Sequence, residues 1–202
     1  MIIVFDTETT GLPLRGARSD APGQPHLVQL AAVLLDRDRA EIGRLSTIIR
    51  PDGWTIPDEV AAIHGITTER ALDEGTPLKV VLNDFLDLHE QAACEVAHNV
   101  FFDRKILKIA VMQAGWGREQ ADAFSERLPY HDTMKLSDPL VNMPPTDKML
   151  KCNFTKSKPP KLGEAYQFFF GEPLEGAHDA LVDVNACARI FWRLVDDGVV
   201  TL

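Results

Sequence analysis

The sequence has 202 residues and a mass of 22.4 kDa, which is typical of one globular domain, so we expect a single domain over residues 1–202. With 45% hydrophobic and 25% charged residues, the composition excludes a collagen-like chain, a long coiled coil and a wholly disordered chain. The 21 basic and 30 acidic residues give a net charge of −9, which argues against a broadly basic nucleic-acid binder.

Membrane association and secretion are not expected from the sequence. No apolar run approaches the roughly 20 residues that span a bilayer, and the apolar opening at residues 1–5 has no basic flank and is followed by acids, unlike a signal peptide. Three widely separated cysteines, Cys94, Cys152 and Cys187, fit neither a disulfide framework nor a zinc motif. We therefore expect a reducing, cytoplasmic location.

The N-terminal third predicts strands at residues 2–5, 27–35 and 45–49, with the polar stretch 36–44 as a hairpin connection. Residues 13–25 contain three prolines and two glycines and predict an exposed, mobile loop.

Further along the chain, the pattern changes to alternating helices and strands. Helices are predicted at 58–63, from Thr67 to Gly75, and after Pro77. A strand at 94–97, a helix at 101–114, a strand at 128–131 and helices at 162–170 and 177–195 follow. This order predicts an α/β domain with one mixed sheet covered by helices on both faces.

Two acids, Asp6 and Glu8, follow the first predicted strand at positions i and i+2, which project to the same side of a strand. Two carboxylates so close destabilise each other unless a cation lies between them. A polar turn built from Thr7, Thr9 and Gly11 explains the same residues equally well, so both interpretations stay open.

Asp103 and Asp183 lie on apolar helix faces. Asp103 heads the stripe Ile106, Leu107 and Ala110, where it is either a ligand near the sheet or an ordinary first-turn acid that complements the helix dipole. Asp183 lies between two apolar stripes of the last helix, which predicts that it faces inward.

Four acids on three elements suit Mg²⁺ or Mn²⁺, which prefer oxygen ligands, and two such ions can act together in phosphoryl displacement. His178 is suited to accept a proton near neutral pH, although a lone histidine is usually structural. It can approach Asp183 only if it lies at or before the start of the last helix, because five residues within one helix diverge by about 140°.

Three segments together resemble the DEDDh family of 3′–5′ exonucleases, which includes the proofreading subunit of bacterial DNA polymerase III. These segments are VFDTETTGL at 4–12, AHNVFFD at 97–103 and GAHDALVDVNACA at 176–188; IHGIT at 63–67 and HDTMKL at 131–136 are also similar. The histidine of the third segment is typical of the DEDDh branch.

The resemblance implies a ribonuclease H-like fold with a five-stranded mixed sheet. It implies that two Mg²⁺ or Mn²⁺ ions are held by Asp6, Glu8, Asp103 and Asp183, that His178 deprotonates the attacking water, and that nucleoside 5′-monophosphates are released. It also implies contacts to the 3′-terminal nucleotide of a single-stranded or frayed DNA end, from Thr7, Glu8, Leu12, His64, Asn99 and Phe102, although core packing is an equal alternative for Phe102.

Several alternatives remain open. An RNA exonuclease of the same family would use the same residues, a non-catalytic nucleic-acid or polymerase-binding module would have lost one of the acids, and a small-molecule phosphatase does not fit the motif order. A DNA polymerase is a possible partner, but only residues 196–202 follow the last predicted helix, so we expect no long C-terminal tether. The sequence leaves the oligomeric state open.

One short segment is strongly basic within this acidic chain. Residues 148–161 carry five lysines and no acid, which leaves −14 on the rest of the chain. A solvated loop is one interpretation, and a strip that steers phosphates toward the third motif, with Phe154 as a stacking surface, is the other. The predicted steering residues are Lys148, Lys151, Lys156, Lys158 and Lys161.

Overall fold

The computed structural model describes residues 1–201, except for the side chains of residues 123–126; Leu202, the last residue of the predicted domain, lies outside the described residues. Five strands form one sheet, which confirms the predicted strand number: β1 (Ile2–Thr9), β2 (Leu27–Leu35), β3 (Glu41–Ile48), β4 (Cys94–Ala97) and β5 (Tyr130–Asp132). The helices are α1 (Asp58–His64), α2 (Thr68–Glu74), α3 (Leu78–His89), α4 (Val100–Gln113), α5 (Arg118–Glu126), α6 (Thr133–Val141), α7 (Asp147–Lys151), α8 (Leu162–Phe170) and α9 (Ala180–Asp196).

The sheet is mixed, as predicted, with the strand order β3-β2-β1-β4-β5. β1 pairs with β2 in antiparallel and with β4 in parallel, and β5 continues the parallel half. β1 is therefore a central strand, and its carboxyl end lies at the same edge as the carboxyl ends of β4 and β5.

The side chains of β1 alternate between two hydrophobic cores. Ile3 and Phe5 belong to the core under α3 and α4, which contains Phe85 and Ile106 among others. The opposite core lies under α8 and α9, and in it Ile2 and Val4 pack with buried residues of α9. Because each face buries its own set of large apolar side chains, helices cover both faces of the sheet, as predicted.

Several predicted boundaries were wrong. β1 extends through Thr9 instead of ending at Phe5, so that Asp6 and Glu8 lie within the strand and not after it. β3 begins at Glu41, which shortens the hairpin connection. The last helix begins at Ala180, three residues later than predicted, because the Asp179 side chain caps it by accepting from the backbone N–H groups of Leu181 and Val182.

Three helices, α5, α6 and α7, were not predicted. In α6, Pro139 interrupts the sequence pattern, but the helix is started by Asp132, whose side chain accepts from the N–H groups of Met134 and Lys135. Thr146 caps the short α7 in the same manner.

Within the described residues, Cys94, Cys152 and Cys187 form no disulfide with one another. Within residues 1–201, no helix combines the length and the apolar character that a membrane span requires.

Candidate active site

Asp6 and Glu8 lie near the carboxyl end of β1, where the strand alternation continues from the two cores. They follow Ile2 and Val4 and therefore project toward α9, whereas Thr7 follows Ile3 and Phe5 and projects toward α4. The first motif thus supplies polar side chains to both faces of one strand end.

Asp103 lies in the first turn of α4 and is only 2% exposed. Its side chain is held by Thr7, whose hydroxyl donates to Asp103 Oδ1 at 2.7 Å. Its predicted neighbours Ile106, Leu107 and Ala110 are all buried, so the apolar stripe faces the core as expected. A first-turn acid that serves only the helix dipole is normally solvated, whereas Asp103 is buried beside the acids of β1.

Asp183 lies in the first turn of α9 and is 7% exposed, which confirms the predicted inward orientation. His178 precedes this helix, in the position that its approach to Asp183 requires, and its φ of 72° is left-handed. This conformation costs a non-glycine residue about 1–2 kcal/mol. It directs the backbone N–H of His178 to Asp183 Oδ2 at 3.1 Å, while the imidazole stays exposed.

The four carboxylates form one electrostatic cluster. Burial and the charges of Asp103, Asp183 and Glu8 raise the pKa of Asp6 well above its usual range. Burial, with Asp183 and Asp103, raises the pKa of Glu8 to about 8. Burial raises the pKa of Asp103 to about 7 against the opposing effect of the Thr7 hydrogen bond, and burial also raises the pKa of Asp183. Each of these carboxyls therefore binds a proton more readily than a free carboxyl does, unless a cation compensates its charge.

The arrangement of donor atoms fits a divalent cation. One oxygen or nitrogen from each of Glu8, His178 and Asp183 lies within 4.8 Å of the others. Asp183 Oδ1 is buried and, among the described residues, has no hydrogen-bond partner. A buried carboxylate oxygen without a donor is costly in a folded protein, and a metal ion would satisfy it. The charges of Asp6 and Asp103 interact with the charges of this group.

Two supporting residues were missed by the sequence analysis. Asp132 is buried, and its Oδ1 accepts from the N–H of Asn99 at 3.0 Å as well as capping α6, so it ties the start of α4 to the end of β5. Gln29 of β2 is also buried, and its Oε1 accepts from the N–H of Ala180 at 3.2 Å, which fixes the start of α9. Helix-capping chemistry marks Asp132 in the sequence, whereas nothing local marks Gln29.

The predicted substrate contacts occupy different environments. Leu12 is 80% exposed, four residues after Glu8, while Thr7 is buried and its hydroxyl donates to Asp103. His64 is buried, and burial together with the charge of His178 lowers its pKa, which places these two histidines near each other. Asn99 precedes α4 in a left-handed conformation, and the half-buried Phe102 packs against the core under α4.

The predicted lysine strip lies in α7 and the loop that follows it. Its exposed members are Lys148, Lys151, Lys156 and Lys161. Lys158 is half-buried, and its ammonium donates to both carboxylate oxygens of Glu164 at 2.6 Å, so its charge is compensated. The strip adjoins the second motif because the Pro160 carbonyl lies 3.0 Å from His98 Nε2.

Comparison with solved structures identifies the class of fold. Escherichia coli exonuclease I in complex with a dT13 oligonucleotide superimposes with a TM-score of 0.71 at 19% sequence identity, over 96% of this chain and 40% of that one. The fold is the ribonuclease H-like one, as the sequence resemblance implied.

Comparison of sequences gives the family. A sequence model of the exonuclease family RNase_T matches residues 3–191, and the chain belongs to this family. It is 29% identical to a DNA polymerase III subunit epsilon-like protein of Rhodobacter capsulatus over 96% of this chain, and 26% identical to ribonuclease T of Pectobacterium atrosepticum, also over 96%. The chain spans 23% of the length of the first protein and 81% of the second.

Proposed function

We propose that the protein is a metal-dependent 3′–5′ exonuclease that removes nucleoside 5′-monophosphates from the 3′ end of a DNA strand, single-stranded or frayed. The observation that carries this proposal is a cluster of four acids beside an exposed histidine at the carboxyl end of β1, in which Asp103 and Asp183 are buried and Asp6 and Glu8 are half-buried. Membership of the exonuclease family supports it.

In this proposal, Asp6, Glu8, Asp103 and Asp183 hold two Mg²⁺ or Mn²⁺ ions. Such ions supply charge compensation for the phosphodiester and favour the ionised form of a bound water. The chain's own part is to fix the ligands: Thr7 orients Asp103, and the backbone N–H of His178 orients Asp183.

His178 has the position of a general base. Its imidazole is exposed beside Glu8 and Asp183, so that it can accept a proton from a water molecule and release it to solvent. Its left-handed backbone keeps the ring outside α9, because a residue inside the helix would turn away from Asp183.

The substrate pocket would lie around Glu8, Leu12 and His64, where an exposed apolar side chain projects beside the acids. Leu12 offers a surface on which the terminal base can rest. Thr7 and Phe102 would act from beneath this surface through packing, and Asn99 through the backbone at the start of α4.

RNA is the second candidate substrate. Ribonuclease T is matched over most of its own length, whereas the epsilon-like relative is matched over a small part. The similarity to ribonuclease T favours RNA trimming by the same residues. Discrimination between RNA and DNA would depend on contacts to the 2′-hydroxyl. The epsilon-like relatives favour a DNA polymerase as a possible partner.

One experiment tests the activity and the sugar preference together. The protein is incubated with Mg²⁺ or Mn²⁺ and 5′-labelled single-stranded DNA, mismatched duplex DNA and RNA in parallel. We expect a ladder of 3′-shortened products on DNA, and its appearance on RNA alone would select the second candidate.

The matched control is Asp183→Asn, which keeps the size of the side chain and removes its charge. Asp6→Asn serves as a second control. Each is expected to abolish hydrolysis while the circular dichroism spectrum stays unchanged. Full activity in either variant would exclude the proposed metal site, and no shortening of any polymer by the wild type would exclude the exonuclease.

A further inference from the structure

A second charged site lies on the far side of α4 from the sheet. A cavity of about 320 Å³ opens between the loop at residues 13–25 and the outer surface of α4 and α5. Four basic side chains and two carboxylates line it, which gives a surplus of two positive charges in a chain whose net charge is −9. We call this cavity the basic pocket; its charged residues are Arg18, Asp20, Lys105, Lys108, Arg118 and Asp122.

The loop side of the basic pocket is held in place by hydrogen bonds. Gln24 is 5% exposed; its Oε1 accepts from the N–H of Leu14 at 3.0 Å, and its Nε2 donates to the Arg18 carbonyl at 2.7 Å. Lys105 of α4 donates to the Ala17 carbonyl at 3.3 Å and to the Ser19 hydroxyl at 3.1 Å. The loop is exposed, as predicted, but these bonds give it a defined shape against α4.

The positive surplus belongs to two residues. Arg18 makes a two-pronged ion pair with Asp20 at 2.9 and 2.6 Å, and Lys108 pairs with Asp122. Within the described residues, neither Lys105 nor Arg118 has a carboxylate oxygen within ion-pair distance. An ammonium has three donors, and the loop contacts of Lys105 account for two. The charge of Arg118 acts on both Asp20 and Asp122, but four cations face two carboxylates, so the basic pocket keeps a positive surplus and the third donor of Lys105 for one anionic group.

The walls of the basic pocket are continuous in sequence with the first and second motifs, although the pocket lies on the opposite side of α4 from the acids. The loop follows Leu12 of the first motif directly, and Lys105 comes two residues after Asp103 on α4. Met112 lines its far end, nine residues beyond Asp103, which corresponds to roughly 14 Å of helix. A strand whose 3′ end lies at the cluster would reach the pocket by passing around α4, whose diameter is about 10–12 Å.

We propose that the basic pocket binds an internucleotide phosphate of the substrate strand, upstream of the phosphodiester that is cleaved. The proposal rests on the proposed exonuclease function for the identity of the strand. A phosphodiester carries one negative charge, which Lys105 and Arg118 can compensate through charge-assisted hydrogen bonds. In an otherwise acidic chain, such a contact would hold the polymer while each terminal nucleotide is removed.

The test compares Lys105→Gln and Arg118→Gln with Arg37→Gln, a control that removes the same charge from the turn between β2 and β3 at the opposite end of the sheet. Arg118 acts on the loop only through the charge of Asp20, whereas Lys105 donates hydrogen bonds to Ala17 and Ser19, so the effect of Arg118→Gln is less dependent on loop folding. The substrates are a 5′-labelled thymidine 12-mer and a dinucleotide, which is too short to reach the pocket. Binding of the 12-mer is also measured by fluorescence anisotropy in EDTA.

We expect each pocket variant to raise KM and Kd for the 12-mer about 3- to 10-fold and to reduce the salt dependence of log K by about 0.7, the contribution of one phosphate contact on a single strand. Turnover of the dinucleotide should match that of Arg37→Gln. Pocket variants that bind the 12-mer with the affinity and salt dependence of Arg37→Gln would overturn the proposal.

Two further outcomes separate the alternatives. If the wild type cleaves neither substrate, the proposed function fails, and the anisotropy measurement still decides whether the pocket binds the strand. If inorganic phosphate at constant ionic strength stabilises the wild type but not Lys105→Gln, while 12-mer binding is unchanged, the pocket holds a free anion and the proposal is overturned.

Discussion

Replacing Thr7 by valine tests whether the environment of Asp103 controls metal affinity. The Thr7 hydroxyl donates to Asp103 Oδ1 at 2.7 Å, both residues are buried, and valine has nearly the same shape without the donor. A hydrogen bond to a charged group contributes roughly 1.5–3 kcal/mol, which corresponds to about 10- to 100-fold in an equilibrium constant. Loss of a group that orients a metal ligand typically lowers metal affinity by the same factor of about 10–100.

The pKa of Asp103 gives a second reason to expect that Thr7→Val lowers metal affinity. The Thr7 hydrogen bond opposes the rise caused by burial, so Thr7→Val should raise this pKa above its present value of about 7. A proton then competes more strongly with the metal at neutral pH. The loss of the hydrogen bond and the rise in the pKa of Asp103 both increase the Mg²⁺ concentration that is needed for activity. They should change the rate at saturating Mg²⁺ much less.

The assay is a Mg²⁺ titration of the initial rate on 5′-labelled single-stranded DNA, with metal-dependent thermal stabilisation as a readout independent of turnover. We expect the half-saturating Mg²⁺ concentration of Thr7→Val to rise about 10- to 100-fold. Thr7→Ser restores the hydroxyl and should stay within about threefold of the wild type. A valine variant within about twofold of the wild type in both readouts would refute the reasoning.

Three further predictions concern pH, the histidine and the lysine strip. Folding raises the pKa of Glu8 from 4.5 to about 8 and that of Asp103 from 3.8 to about 7, so the metal-free native state binds more protons than the unfolded state. The melting temperature in EDTA should therefore fall as pH rises from 5 to 8. A flat or rising melting temperature would contradict the electrostatic coupling of these acids. His178→Ala should lose at least about 100-fold in rate and flatten the pH–rate profile, with metal stabilisation retained; an unchanged profile would remove its role. Neutralising Lys148 and Lys151 should weaken DNA binding and flatten its salt dependence, and an unaltered slope in filter binding would reject the strip.

The architecture could be predicted because its signals are local. The continuous apolar run of β2 and the apolar stripes of α4 and α9 carry their own periodicity, and the structure confirms them. The end of β1 was misplaced because Asp6 and Glu8 interrupt the apolar pattern, whereas the pairing of β1 with β2 continues past them. Pairing between distant residues overrides local composition there.

The sequence predicted the parts of the candidate site whose residues lie close together within one motif. The inward orientation of Asp183 followed from helical spacing, whereas geometry gave the position of His178 before α9 only as a condition, because the helix predicted at 177–195 included it. The contacts that orient the acids could not be predicted in this way. Thr7 and Asp103 are 96 residues apart, and Gln29 and Ala180 are 151 apart, so only the folded chain brings them together.

The site combines acids on a strand of the sheet with a histidine in a turn outside the sheet. β1 is paired with both β2 and β4 up to Val4, and at Asp6 and Glu8 it is paired with β2. His178 lies in a turn whose backbone N–H is bonded to Asp183. If that turn opened, His178 would move away from the acids, and Asp183 would lose the hydrogen bond that opposes the rise in its pKa.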